Sequence, residues 1–188
     1  MNKSKNTILD SIFIKGKTIN LRNLNEEDLY GDYFDWFNDQ KNDIYTTHAL
    51  FPNNIDRMKD YFQASKKNDI LLLAIIYKNN NKHIGNITLR KFDWINRNAE
   101  FAIIIGESDY HGMGIGTEAT QLILDYGFSK YNLHMIYLDV HSKNKGAIKV
   151  YKKVGFKIDG KIRHRYLRNG VYEDNLIMTL LRREYYNK

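Results

Sequence analysis

Three glycines, Gly112, Gly114 and Gly116, alternate between an apolar run that ends at Ile105 and a helical pattern that begins at Ile115. Glycine lets the backbone turn tightly and approach a ligand closely. The first amides of a helix have no intrahelical partners, and such amides favour an anion. The spacing therefore predicts a phosphate cradle, although a tight turn without a ligand fits these glycines as well.

This glycine segment differs from two common phosphate cradles. It lacks the Gly-Lys-Ser/Thr ending of the Walker loop, and its spacing is not the Gly-x-Gly-x-x-Gly of dinucleotide-binding folds. The run His111-Gly112-Met113-Gly114-Ile115-Gly116 instead resembles motif A of the GNAT superfamily of N-acetyltransferases, Gln/Arg-x-x-Gly-x-Gly/Ala. His111 departs from the first position of that pattern, but backbone amides rather than this side chain form the cradle.

A second group of residues, Asn144, Ala147 and Tyr151, has the spacing i, i+3, i+7 and so lies on one helix face. By themselves these residues fit a helix cap and a half-buried aromatic ring. The run Asn-x-x-Ala-x-x-x-Tyr-x-x-x-Gly-Phe, which ends at Phe156, also resembles the second motif of the same superfamily. The resemblance covers about residues 80–182 and is closest to the branch with spermidine, ribosomal-protein and amino-sugar acetyltransferases.

The resemblance implies that acetyl-CoA is the acetyl donor and that Tyr151 is the general acid for the leaving thiolate. Asn144, with Ala147 beside it, would bind the pantetheine arm. Main-chain groups of one strand would also hold pantetheine, at Ile103, Ile104 and Ile105. The pyrophosphate would lie on His111, Gly112, Met113, Gly114, Ile115, Gly116 and Thr117.

The implied reaction is direct attack of a neutral amine on the thioester, which needs neither a covalent enzyme nucleophile nor a metal. Glu100 is the candidate base, because it begins the strand expected to contact pantetheine and shares a face with Ala102. Small apolar neighbours raise the pKa of a carboxylate, so we expect a raised pKa here. The alternative is a surface residue paired with Arg90 or Arg97.

Length and composition predict one domain over residues 1–188, with the motifs between about 80 and 182. Hydrophobic residues make up 43% and charged residues 27%, a globular balance. The absence of cysteine excludes disulfides and cysteine-ligated zinc. The N-terminus shows no signal-peptide pattern, and the longest apolar run, residues 70–77, is too short to span a bilayer. A cytoplasmic protein is therefore expected.

The net charge of +7 is unevenly distributed, because residues 143–168 contain ten lysines and arginines and one acid. This segment fits a solvated basic face or attraction of a polyanion. It lacks a stacking motif or a recognition-helix signature, so no nucleic-acid partner is expected. The expected partner is a small-molecule amine, with no membrane, and the chain would act alone or as a homodimer.

Apolar periodicity predicts an α/β chain, and the resemblance implies the GNAT fold, a mixed, mostly antiparallel central sheet flanked by helices. Strands are predicted over residues 12–14, 18–22, 70–78, 83–92, 99–105, 134–141, 156–163 and 171–181. Helices are predicted from Asn25 through a stripe ending at Phe37, over 55–66 with Met58, Tyr61 and Phe62 inward, from 115 to about 129, and from Asn144 to Gly155.

The acceptor amine remains open among three classes: an amino sugar, a polyamine, and a protein N-terminus or lysine. Residues 34–39, with Tyr45 and Pro52, resemble the Trp-hydrophobic-Asn-Asp segment of amino-sugar acetyltransferases, so residues 34–52 are expected to line the acceptor site. Ala99-Glu100-Phe101 followed by three isoleucines resembles spermidine acetyltransferases instead.

The glutamate pair that binds polyamine before a proline in those enzymes is absent, and Leu50-Phe51-Pro52 stands in its place. A nucleotide-linked amino sugar also gains from the positive net charge, whereas a polycation does not. An amino sugar is therefore the leading acceptor in this interpretation. A CoA-binding regulatory protein without turnover is the alternative from a different class.

Overall fold

The computed structural model describes residues 11–38, 52–67 and 69–187. Its centre is an eight-stranded sheet with the order β1-β2-β3-β4-β5-β6-β8-β7. The strands are β1 Ile12–Lys15, β2 Ile19–Asn23, β3 Leu71–Tyr77, β4 Lys82–Asp93, β5 Asn98–Ile105, β6 Met135–His141, β7 Lys157–Arg168 and β8 Val171–Leu181. Every neighbouring pair is antiparallel except β5 and β6. The predicted mixed, mostly antiparallel sheet is thus confirmed.

Helices cover both faces of this sheet. They are α1 Asp32–Trp36, α2 Ile55–Lys67, α3 Ile115–Ser129, α4 Lys145–Val154 and α5 Arg182–Tyr186, with 3-10 turns at Glu26–Tyr30 and Ser108–Tyr110. On one face, α1 and α2 pack against β3 through a cluster that includes Ala74. On the other face, α3 packs on a larger core that includes Leu89 and Phe101. None of the helices described is long and apolar enough to cross a membrane.

The parallel pair β5 and β6 is short. Its register joins only Asn98 with Met135, Ala99 with Ile136 and Glu100 with Tyr137, and the described chain contains no later pair between these strands. Parallel neighbours need a crossover connection, and α3 provides it. The N-terminus of α3 therefore lies beyond the carboxyl end of β5, beside the gap that opens between the two strands.

The structure differs from the sequence prediction in three places. The helix predicted from Asn25 is two short pieces, because Gly31 takes an extended conformation between them. Tyr61 is 37% exposed rather than inward, since Met58 and Phe62 fill the core contact of α2. The C-terminal hairpin is longer than predicted, because β7 continues to Arg168. The short helix α5, which was not predicted, follows β8.

Candidate active site

The gap between β5 and β6 exposes one edge of β5. On the side of β4, residues Phe101 to Ile105 continue a regular antiparallel ladder. On the side of β6, the described register ends at Glu100. Strand residues with a free edge can pair with another extended chain. The segment Ile103–Ile105, predicted to bind pantetheine, therefore lies where an extended ligand can add to the sheet.

The glycine segment leads from the end of β5 into α3. Gly112 and Gly114 have φ values of +78° and +81°, which L side chains rarely adopt. A Cβ atom built on Gly112, Gly114 or Gly116 would meet no atom within 4 Å, so open space faces all three. Gly114 caps α3 with its carbonyl, and the first intrahelical bond comes from the amide of Glu118. The preceding amides thus face a space that suits a pyrophosphate.

His111, the residue that departs from the motif, has an internal partner. Its Nε2 lies 2.9 Å from the carbonyl oxygen of Ile105, and a carbonyl can only accept, so the ring donates. This bond ties the start of the glycine segment to the end of β5. The His111 side chain therefore positions the loop, while the loop backbone presents the amides.

Helix α4 carries the second predicted group beside the gap. Asn144 caps this helix by accepting a hydrogen bond from the amide of Ala147 at 3.0 Å. Tyr151 is 8% exposed, and its ring makes edge contacts with Phe101 and Phe156 at centroid distances of 5.8 and 5.9 Å. Burial raises the pKa of the Tyr151 phenol, so the phenol keeps its proton at neutral pH.

Glu100 lies at the point where β5 and β6 part. Its Oε1 is 2.6 Å from Nη2 of Arg90, and its Oε2 is 2.5 Å from Nζ of Lys91. Burial alone would raise the pKa of Glu100, but the hydrogen bonds and charges of Lys91 and Arg90 outweigh it and lower the pKa below its usual value. The predicted rise in pKa is therefore wrong. The pairing with Arg90 named as the alternative is present, and Lys91 is the second cation.

A cavity of about 290 Å³ lies on the α1–α2 face of the sheet, next to β5. Its outer wall is formed by Tyr33 from α1, by Phe37 directly after that helix, and by Arg57 and Tyr61 from α2. Its floor comes from the sheet, at Leu72, Asn86, Thr88, Arg90, Ala102, Ile103 and Ile104. Because Ile103 and Ile104 also belong to the free edge of β5, the cavity reaches the place expected for pantetheine.

Helix α1 is anchored to the end of β5 next to this cavity. The indole Nε1 of Trp36 donates to Glu107 at 2.9 Å, and Lys82 pairs with the same carboxylate at 2.5 Å. The ring of Trp36 lies so close to Gly106 that a Cβ atom there would come within 1.9 Å of it. The predicted acceptor segment 34–52 is described only at residues 34–38 and 52. Of these Phe37 lines the cavity, whereas Tyr45 lies outside the described residues.

The polar residues of the cavity were not predicted from the sequence. Asn86, Thr88 and Arg90 occupy alternate positions of β4, and the first two are buried at 5% exposure. Alternation places all three on one face. Three polar side chains on one face, alternating with Ile87 and Leu89 on the other, were a signal that this face is not simply core. Arg57 on an exposed helix surface gave no comparable signal.

Comparisons with known proteins agree with this architecture. The family model "Acetyltransferase (GNAT) domain" matches residues 18–157. Spermidine N(1)-acetyltransferase from Escherichia coli (strain K12) is 38% identical over 101 residues, which is 54% of this chain and 54% of that enzyme. The match thus spans about half the length of that relative. A probable N-acetyltransferase, YjcK from Bacillus subtilis (strain 168), is 31% identical over 180 residues, 89% of this chain and 96% of the relative.

A solved structure shows the same fold. Spermidine N-acetyltransferase from Vibrio cholerae, in complex with CoA and spermine, superposes with a TM-score of 0.81 at 27% identity, covering 89% of this chain and 98% of that one. The similarity extends over both halves of the sheet. The two chains therefore share a fold, and the Vibrio cholerae enzyme of that fold was solved with CoA. This similarity agrees with the family model.

Proposed function

The chain belongs to the acetyltransferase (GNAT) family, and we propose that it transfers the acetyl group of acetyl-CoA to a primary amine of a small molecule. One observation carries the proposal: in the described part of the chain, a free strand edge on β5 lies beside the first amides of α3, which precede the first intrahelical bond, and open space faces the three glycines there. That combination offers main-chain groups to an extended arm and an anion site at its end. Acetyl-CoA has both parts.

We assign the donor to the gap between β5 and β6. The pantetheine arm would pair with Ile103–Ile105, and the pyrophosphate would lie on the amides of residues 112–117. Asn144 and Ala147 would border the arm at the start of α4, where the capping bond between them holds that helix end in place. Acetyl-CoA would supply the thioester carbonyl, and these residues would hold it in position.

The chemical step needs one proton delivered and one removed. The amine nitrogen forms a bond to the carbonyl carbon, the carbon–sulfur bond breaks, and the thiolate takes a proton from the Tyr151 hydroxyl. The buried phenol is protonated and can deliver that proton. Glu100 is charged at neutral pH, and we assign it the proton lost by the ammonium, directly or through water. Its lowered pKa makes it a weaker base than the sequence suggested.

For the acceptor, the relatives support a polyamine better than the amino sugar placed first from the sequence. The first named relative acts on spermidine, and the solved structure contains spermine. We therefore take a polyamine as the first acceptor to test. A second class, an amine that carries polar or anionic groups such as an amino sugar, is favoured by the cavity, because Arg57 and Arg90 line it and no described carboxylate does.

A panel of amines with acetyl-CoA, followed by release of free thiol, tests the proposal. Spermidine, glucosamine and a peptide with a free N-terminus represent the three acceptor classes. We expect thiol release above the hydrolysis rate with at least one amine. If acetyl-CoA raises the melting temperature of the chain but no amine causes thiol release, the chain binds the donor without turnover. That result would support the alternative of a CoA-binding regulatory protein.

A further inference from the structure

The floor of the cavity contains a buried hydrogen-bond donor that has no acceptor. Asn86 is 5% exposed, and its Oδ1 lies 2.9 Å from Nε2 of His83. The same Nε2 lies 3.0 Å from the carbonyl oxygen of Gly85, so it must donate, and the Asn86 oxygen accepts. This leaves Nδ2 of Asn86, a residue that lines the cavity, buried and without a partner in the described chain.

The outer wall contributes a second donor of the same kind. The side chain of Asn38 binds the backbone of Asn53 through both its oxygen, at 2.9 Å, and its nitrogen, at 3.4 Å. Asn53 is thereby held against the cavity. Its Nδ2 is buried and has no acceptor among the residues that the structure describes.

Arg57 lines the same cavity as these donors and carries a positive charge. Its Nη1 donates to the carbonyl oxygen of Pro52 at 3.4 Å, and no carboxylate in residues 11–38, 52–67 or 69–187 pairs with it. The other cation of the cavity, Arg90, already pairs with Glu100. The described lining therefore presents one free cation and two unpartnered amide donors, and no carboxylate lies among them.

We infer that Arg57, Asn53 and Asn86 form a subsite for an anionic group, a phosphate or a carboxylate, on the acceptor amine. Such a group accepts several hydrogen bonds and neutralises a guanidinium. A polyamine would place further positive charge next to Arg57 and leave both amide donors unpaired. The inference rests on the proposed acetyl transfer and narrows its acceptor to an amine that differs from those of the spermidine relatives.

Matched amines that differ in one group test the subsite. Aminoethyl phosphate is compared with ethanolamine, and 3-aminopropanoate with propylamine, each with saturating acetyl-CoA and thiol release. Spermidine is the polyamine control. We expect the anionic member of at least one pair to have a kcat/KM about tenfold or more above that of its partner and above that of spermidine. The pair with the larger ratio tells whether phosphate or carboxylate is preferred.

Variants identify the residues responsible. Arg57→Gln removes the free cation from an exposed helix position, and we expect it to abolish the preference for the anionic amine with an unchanged KM for acetyl-CoA. Lys130→Gln, an exposed charge removed at the far end of α3, is the matched control and should preserve the preference. Asn86→Asp replaces the buried donor by an acceptor and should shift the preference toward spermidine. Arg57→Gln carries the test if Asn86→Asp does not fold.

Binding without turnover separates the two proposals. Calorimetry with CoA present should show tighter binding of aminoethyl phosphate than of ethanolamine, and Arg57→Gln should remove the difference. Preference for spermidine by about tenfold, unchanged in Arg57→Gln, overturns the subsite and leaves acetyl transfer intact. If no amine releases thiol, the proposed function fails, and equal affinities in calorimetry would then overturn the subsite as well.

Discussion

At the scale of single residues, Tyr151 shows how burial prepares a group for chemistry. Its ring lies between Phe101 and Phe156, and that apolar setting disfavours the phenolate. The raised pKa keeps the proton on Tyr151 at neutral pH, but it also makes the phenol a weaker acid than an ordinary thiol. The proton is therefore transferred as the carbon–sulfur bond breaks, while negative charge develops on the sulfur beside the phenol.

Replacing Tyr151 by phenylalanine tests this role. Tyr151→Phe retains the ring contacts and removes the proton, so we expect kcat to fall by roughly 10²- to 10⁴-fold. The melting temperature and its rise with acetyl-CoA should stay close to those of the unmodified chain. Tyr126→Phe, in a ring cluster with Phe13 and Tyr131, is the control. Full activity in Tyr151→Phe would reduce this tyrosine to a packing role.

Glu100 could be located from the sequence, but its electrostatics could not. The alternation of β5 predicts the face on which Glu100 lies. Its pKa, however, depends on Arg90 and Lys91, two consecutive residues of the neighbouring strand β4. Lys91 reaches the carboxylate from a backbone with φ of +52°, at the irregular end of the β4–β5 ladder. The alternation of polar and apolar residues along a strand carries no information about such an irregularity in the ladder.

The pH profile of kcat/KM tests Glu100 as the proton acceptor. A carboxylate base works when deprotonated, so activity is lost as the pH falls through its pKa. Lys91→Gln removes a cation that lowers this pKa, and we expect it to move the acidic limb to higher pH. Glu100→Gln should lower kcat/KM and flatten that limb. An acidic limb that neither variant changes would assign the proton to water or to another group.

At the scale of elements, the glycine segment and α3 form the part of the site that local sequence predicts best. Three glycines at alternate positions specify a turn whose backbone faces open space, and the structure retains that space. The short α1, in contrast, is placed by distant partners, since Trp36 binds Glu107 and packs on Gly106. Those contacts join residues about 70 positions apart, and no local pattern encodes them.

Gly116→Leu tests the glycine segment without disturbing its turn. Gly116 lies in the first turn of α3 and lacks a positive φ, so leucine, a better helix former than glycine, fits its backbone and should stabilise the helix by up to about 1 kcal/mol. The motif accepts alanine at this position, but the larger leucine side chain would occupy the space expected for the pyrophosphate. We therefore expect the free chain to melt at the same temperature or higher, while the rise caused by acetyl-CoA is lost.

The control for this variant is Gly160→Leu, in β7, where a Cβ atom also meets nothing within 4 Å. It should preserve the acetyl-CoA effect. Gly114→Val is a less clean probe, because the φ of +81° at Gly114 would strain any branched side chain. A full acetyl-CoA shift in Gly116→Leu would place the donor elsewhere on the molecule.

At the scale of the whole molecule, the charge distribution favours anionic ligands. The chain has a net charge of +7, and residues 143–168, with ten lysines and arginines against one acid, contribute more than this whole excess and contain α4 and all of β7. Acetyl-CoA is an anion, so part of this excess suits the donor whatever the acceptor is. The effect of the acceptor's own charge on kcat/KM can therefore be measured only when the chain is saturated with acetyl-CoA.

Salt dependence then separates the acceptor classes by the sign of the effect. The range of electrostatic attraction falls from about 30 Å at 0.01 M salt to about 10 Å at 0.1 M. With saturating acetyl-CoA, kcat/KM for aminoethyl phosphate should fall by about threefold or more over that range, because a positive molecule attracts this acceptor less when screened. For spermidine the same positive molecule is repulsive, so screening should raise kcat/KM. Ethanolamine carries a single positive charge, so its kcat/KM should rise with salt as well, but less than that of spermidine. A fall with salt for spermidine would show that carboxylates dominate the path to the site, and would favour the polyamine acceptor of the relatives over the anion-bearing amine.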